Sequence, residues 1–307
     1  MKMRINKKYI LAGLVALLAV NVVAGQATRS ITILTEPDAR VWISGVLYGT
    51  TDANGRIEIK SVYPGRRVIR VLAPGFAEVY KPLLPTQRGE IKVALVETRD
   101  EAELAYQEGE RQATLDRAKA EAAYRKAIAA NPKYVSAHLG LLRTLAEGRS
   151  YDKALAALRE LHKVSPRHPE ASAIEGRIHK ELGDEEKAVA TFKRAITEGG
   201  GFQPEAYAGL GLLYKDRAEG LVDNEQQQTA AYNEATRNLM TAVKQLSGAP
   251  DAAVIYQLVG MIYEEQKRYK EAIALYEDFL KTFPDSVEAE AVRSFIVQIK
   301  KQMNREQ

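Results

Sequence analysis

From residue 101 onward, apolar positions recur every three or four residues, as one face of an amphipathic helix does. In the stretch RYKEAIALYEDFLKTFPDS, that face is Ala272, Ile273, Leu275, Tyr276, Phe279 and Leu280. Lys270, Glu271, Glu277, Asp278 and Lys281 fill the opposite side, and Pro284 ends the segment because proline cannot continue a helix. An alanine in the middle of an apolar face admits a second helix at close range. An aromatic one turn later fills the groove beside it. The pattern predicts one member of a tightly packed helix pair.

The same order returns along the chain. Ala120, Tyr124, Ala127 and Pro132 form one copy, and Ala154, Leu158, Leu161 and Pro166 form the next. Ala188, Phe192 and Ala195 follow at the same interval, with Gly199-Gly200-Gly201 in place of the proline. Ala235, Leu239 and Ala242 form a further copy. A second helical stretch precedes each alanine, most clearly AYAGLGLLY (206–214) and VIYQLVGMIY (254–263). A helix-turn-helix unit of about 34 residues with this residue order resembles the tetratricopeptide repeat. The resemblance spans Glu101 to Ser286 as five repeats, inside a helical region of 101–303. It implies an all-α superhelix, with 287–303 as a capping helix over the last apolar face. Repeat five carries the expected Tyr256, Val259-Gly260, Tyr263, Ala272, Tyr276 and Pro284. Repeat two has Leu141-Leu142 at the apolar-Gly pair, and repeat one has Gln107-Glu108 and Arg111 where apolar, small and aromatic residues are usual. About twelve extra residues at 219–230 divide repeat four and are expected to lengthen its two helices into a protruding hairpin.

Between residues 28 and 98 the period changes to two. SITILTE, ARVWIS, RIEIK, RRVIRVLA and GEIKVALVE read as short strands. Ser44-Gly45 and Asn54-Gly55 read as hairpin turns, and Pro64-Gly65 and Pro74-Gly75 as further breaks. Such spacing predicts a small all-β sandwich. The order Glu36-Pro37-Asp38-Ala39, Val41-Trp42-Ile43, Gly45, Gly49-Thr50 and Gly75-Phe76 resembles the PEGA domain, with Thr50-Thr51 where that family has Thr-Pro. The stretch from Thr50 to Phe76 also resembles carboxypeptidase-regulatory-like sandwiches. Both resemblances imply an exported, non-catalytic module. So small a core is expected to lean on the first repeat, with the joint at Thr98-Arg99-Asp100.

The leader fixes the expected address. MKMRINKK precedes an apolar run of about fifteen residues, and Val22 and Ala24 suit a cleavage site. Residues 1–24 therefore read as a signal peptide, with an uncleaved membrane anchor as the alternative and the only expected membrane contact. Either places the rest of the chain outside the cytoplasm, in the periplasm or cell envelope. The chain has no cysteine, so it must be stable by packing alone. The formal charge of +4 is carried by Lys2, Arg4, Lys7 and Lys8, since residues 1–24 hold no acid; four subtracted from four leaves a mature chain near zero. That excludes the basic footprint a nucleic-acid partner requires.

No residue set points to catalysis or a cofactor. Phosphate loops, nucleophile elbows and HExxH are absent, and no Asp or Glu spacing around His138, His162, His168 and His179 completes a metal site. Asp52-Ala53-Asn54-Gly55 lacks the downstream glutamate of a calcium loop. What is left is a surface for a protein or peptide. The repeat resemblance places Arg143, Arg177, Lys180, Leu212, Lys215, Gln257 and Met261 on the concave side. Arg143 and Arg177 occupy one place in successive repeats and would stack as a basic stripe, unless Glu147, Glu181 and Asp216 neutralise it. The alternative function is an adaptor for cell-wall or surface glycan, with Trp42 and Tyr48 stacking on sugars if they are exposed.

Overall fold

A computed structural model describes residues 29–306. The leader and its cleavage site lie outside the described residues. Seven strands come first: β1 (Arg29–Leu34), β2 (Arg40–Ile43), β3 (Val46–Thr50), β4 (Arg56–Val62), β5 (Arg67–Leu72), β6 (Val79–Leu83) and β7 (Gly89–Lys92). They form two sheets, β4-β1-β7 and β3-β2-β5-β6. β1 pairs antiparallel with β4 and parallel with β7. Alternate residues meet between the sheets: Ile31 and Ile33 from β1, Val41 and Ile43 from β2, Ile69 and Val71 from β5. This is the expected small sandwich.

Ser44-Gly45 joins β2 to β3 as a hairpin, as expected. Asn54-Gly55 does not: β3 and β4 belong to different sheets, so this turn carries the chain across the sandwich. Gly55 has φ +70°, and a Cβ there would lie 1.9 Å from the Thr35 carbonyl oxygen, so the crossing requires glycine. Thr51 stands where a proline would not fit. Its N–H donates to the Ala39 carbonyl at 2.9 Å, which proline could not do. Its hydroxyl donates to the Glu36 carbonyl at 2.7 Å and accepts from Ala39 N–H at 2.9 Å.

Eleven helices follow. α1 (Glu101–Gln112) pairs with α2 (Arg117–Ala130), α3 (Val135–Glu147) with α4 (Tyr151–Val164), and α5 (Pro169–Glu181) with α6 (Glu185–Glu198). α7 (Pro204–Gly220) pairs with α8 (Glu225–Leu246), α9 (Ala252–Glu265) pairs with α10 (Tyr269–Thr282), and α11 (Ala289–Glu306) closes the stack. Asp100, Asp116, Asp184 and Asn224 cap helix starts by accepting first-turn N–H bonds. The segment 219–230 spans the end of α7 and the start of α8, which run to 17 and 22 residues. α11 buries Val292, Ile296 and Ile299.

Close packing explains the small-then-aromatic order. Ala120, Ala154, Ala188, Ala235 and Ala272 are all fully buried. The aromatic that follows is wedged against glycines. A Cβ at Gly176 would lie 2.6 Å from the Phe192 ring, and one at Gly209 would lie 2.3 Å from it. Gly109 and Gly140 take the same places around Tyr124, and Gly260 lies against Tyr276. Each ring thus sits on the first helix of its own pair, and Tyr124 and Phe192 also reach the first helix of the next. In repeat one the small residue is Gly109 rather than position 108; it stands one position nearer its aromatic than Gly176 and Gly260 stand to theirs. In repeat two Leu142 and Leu158 replace the glycine and the ring, exchanging volume between the two partners.

Gly209→Ala should therefore destabilise the protein by about 1–3 kcal/mol through overpacking, although alanine is the better helix former by about 1 kcal/mol. Gly220→Ala is the control, since nothing lies within 4 Å of its added Cβ, and it should leave stability unchanged or raise it. Chemical denaturation of both variants checks this; equal midpoints would refute the wedge.

Candidate functional site

The first helices of the five pairs form one continuous face. One residue past the glycine position, this face presents Glu110, Arg143, Arg177, Leu212 and Met261 in successive repeats. Six residues before the glycine position it presents Glu103, Ser136, Glu170, Glu205 and Val254. These two rows interlock across repeats. Arg143 forms an ion pair with Glu170, and Arg177 lies 3.6 Å from Glu205. Glu170 and Glu205 follow Pro169 and Pro204 in the first turns of α5 and α7, where the helix dipole favours a carboxylate.

The basic stripe is thus neutralised, by acids other than those expected. Glu147 and Glu181 take no part; Asp216 instead pairs with Lys180 at 2.8 Å. Lys215 pairs with Glu219. Burial pushes the Glu170 carboxyl up, yet the Arg143 guanidinium outweighs it and holds the pKa below the ordinary carboxylate value. At Glu205 burial wins: its pKa is raised, and Arg177 offsets only part of the shift. Arg177 Nη2 is buried and has no hydrogen-bond partner.

The sandwich docks along this face rather than on the first repeat alone. The outer side of its four-stranded sheet carries a cross-strand row, Leu47, Trp42, Arg70 and Tyr80. Trp42 and Leu72 share a buried cluster with Tyr106 and Leu139. Arg70 bonds both Glu78 and the Tyr106 hydroxyl, with its guanidinium 4.2 Å from the Trp42 ring centre. Arg40 pairs with Glu110 at 3.1 Å. Gln107 accepts from Gly75 N–H at 2.8 Å and donates to the Phe76 carbonyl at 2.7 Å. Further along, the β2–β3 hairpin puts Val46 into the cluster of α8, α9 and α10. The Tyr48 hydroxyl donates to the Leu246 carbonyl at 3.0 Å, and the Ser61 and Ser247 hydroxyls lie 2.7 Å apart.

Two expectations are corrected by this docking. The sandwich reaches beyond α1 to the later helices, because its outer side buries Trp42 and Leu72 in one helical cluster and Val46 in another. Trp42 is 7% exposed and Tyr48 is half-buried, so neither offers an open platform for a sugar ring. The histidines serve locally. His138 Nε2 meets the Pro132 carbonyl at 2.9 Å, His168 caps α5, and His179 lies 3.7 Å from Glu175. No group of three metal-ligating side chains occurs among the described residues.

Glu170 and Glu205 were not expected as partners, although a Pro-Glu-Ala triplet recurs at the start of α5 and of α7 and marks both. Of the other expected groove residues, Gln257 is half-buried on α9, while Leu212 and Met261 are 37% and 61% exposed. Val254, which no sequence feature singled out, is 70% exposed. Leu212 and Val254 hold the places that Arg177 and Glu205 hold one repeat earlier.

Family models of the tetratricopeptide repeat match residues 110–163, 143–204 and 256–286. The helical region is a tetratricopeptide-like solenoid. Its fold is similar to that of yeast Tom70, at 18% identity and TM-score 0.51 over 67% of this chain and 41% of Tom70. Weaker likenesses are to a MamA protein (21% identity, TM-score 0.42, 63% of this chain and 96% of that one) and to TTC0263, a tetratricopeptide-repeat protein of Thermus thermophilus (18%, 0.47, 64% and 98%). No curated protein sequence matches. The family models pass over the fourth repeat, which its insertion divides.

The docking has a direct check in a chain without cysteine. Ser61→Cys with Ser247→Cys should oxidise to an intramolecular disulfide, stabilising the fold by about 2–4 kcal/mol in a way that reductant reverses. Absence of the crosslink at dilute protein concentration would show that the sandwich does not sit on the array in solution.

Proposed function

We propose that this protein is an exported, non-catalytic scaffold, whose tetratricopeptide array holds a protein or peptide partner in the cell envelope. The observation that carries this reading is the uncovered end of the inner face. Leu212, Val254 and Met261 are large, apolar and exposed there, in register with positions that the sandwich and the Arg–Glu pairs occupy in earlier repeats. Around them, Lys180–Asp216 and Lys215–Glu219 supply a neutral polar rim. Apolar anchors within a polar rim suit a helical or extended segment that brings its own hydrophobic side chains. The sandwich is a fixed part of the scaffold. By covering the earlier part of the face, it directs the partner to the C-terminal repeats. Export is supported by the cationic leader with its apolar run.

A photo-crosslinking residue at Met261, with one at exposed Arg159 as control, tests the partner surface in the native host. Adducts specific to position 261, lost on Leu212→Glu with melting unchanged, are expected. Equal adducts at both positions would remove the inner face as the partner site. N-terminal sequencing tests the address: processing near Ala24 is expected, and a soluble cytosolic chain still starting at Met1 would overturn export.

A further inference from the structure

Between the sandwich and the inner face lies a cleft of about 1100 Å³. The sandwich contributes Arg66, Arg67 and Tyr80 to its walls, and the array contributes Leu139, Arg177, Phe202, Glu205 and Ile255. We propose that this cleft binds a carboxylate-bearing ligand, held by Arg66, Arg67 and Arg177 above an apolar floor. The site is separate from the partner surface at Leu212 and Met261.

Unsatisfied donors lead to it. Among the described residues, four buried side-chain polar atoms lack a hydrogen-bond partner: Arg29 Nε, Thr35 Oγ1, Arg67 Nε and Arg177 Nη2. Two of the four belong to arginines of this one cleft. A buried guanidinium nitrogen without an acceptor is costly, and native structures rarely keep one without a use. Arg67 is held in place: its Nη2 donates to the Pro64 carbonyl at 2.6 Å, and its guanidinium lies 4.0 Å from the Phe202 ring centre. Arg66 beside it is exposed and forms no ion pair among the described residues. The neighbouring rung shows what a completed arginine looks like here. Arg143 is bonded to Glu170, whereas Arg177 stands 3.6 Å from Glu205 with a nitrogen to spare.

Charge sets the class of ligand. The cleft walls hold five arginines (66, 67, 70, 143 and 177) and five acids (Glu78, Glu147, Glu170, Glu205 and Asp251). Such a balance accepts one negative charge more readily than two. A carboxylate brings a single charge and two coplanar oxygens that match a guanidinium fork. A phosphate dianion would face the same five acids with twice the charge. Glu205 stands 3.6 Å from Arg177, beyond hydrogen-bond reach, and so leaves that guanidinium open to a second carboxylate. Phe202, Leu139 and Ile255 suit an apolar or aromatic body on the ligand.

A free organic acid and the C-terminus of a peptide share this chemistry. Calorimetry on the full mature chain separates them, using 3-phenylpropionate, acetyl-Leu-Phe with a free carboxyl, its C-terminal amide, and inorganic phosphate. Binding of 3-phenylpropionate alone assigns a free acid, and binding of acetyl-Leu-Phe but not its amide assigns a chain terminus. Arg177→Gln and Arg66→Gln should each weaken binding at least tenfold, and Arg159→Gln, at an exposed position away from the cleft, should leave it unchanged. Arg66 is exposed, so its variant reports even if Arg177→Gln fails to fold. No binding of either carboxylate at millimolar concentration, equal binding of the amide or phosphate, or unchanged affinity in Arg66→Gln would overturn the proposal.

Discussion

The contact on which the architecture depends is an aromatic ring pressed against glycine. Phe192 reaches both Gly176 and Gly209, and neither position leaves room for a methyl group. A ring held this way fixes two distances at once: between the helices of its own pair and to the first helix of the next. Repetition then turns a local fit into a superhelix, because each repeat is positioned only by its neighbours. The inner face inherits its register from this wedge. Positions one residue past the glycine and six before it come into line across repeats, which is why Arg143 meets Glu170 and Arg177 meets Glu205.

Which parts of this were legible follows from the range of each interaction. Helix pairs were readable because their apolar positions repeat within one turn, and their alanine and aromatic positions return from one pair to the next. Sandwich strands were readable because side chains alternate across a sheet. The slip at Gly109 was not, since only the ring of Tyr124 shows which neighbour must be small. The Asn54-Gly55 turn looked like a hairpin because turn chemistry is local, whereas the sheet a strand joins depends on distant partners.

Domain docking was misjudged for a related reason. In β2, Val41 and Ile43 pack into the sandwich while Arg40 and Trp42 face the array. In β5, Ile69 and Val71 point inward while Arg70 and Leu72 point at α1. The outer row reads as mixed and half-polar in sequence, as an exposed face would. Its middle is buried because Arg70 spreads over Trp42 and ends on Glu78 and Tyr106, so that its charge is paired and its stem covers apolar surface. An arginine in a strand therefore carried no signal of burial, and the exposure on which a sugar platform at Trp42 depended is not met.

Seating the sandwich on the array changes what the inner face can do. A bare tetratricopeptide groove offers one surface along its length. Here the earlier repeats spend their polar residues on the sandwich, through Glu110, Gln107 and Ser136, or on each other, through the Arg–Glu rungs. Between the fourth and fifth repeats the rung becomes apolar: Leu212 of the fourth replaces the arginine and Val254 of the fifth the glutamate. A charged rung left unpaired there would favour water, but an apolar rung left uncovered favours a partner. The change from Arg–Glu to Leu–Val marks the point where the chain stops satisfying its own inner face, and the second rung, with Arg177 only partly satisfied, is the intermediate step.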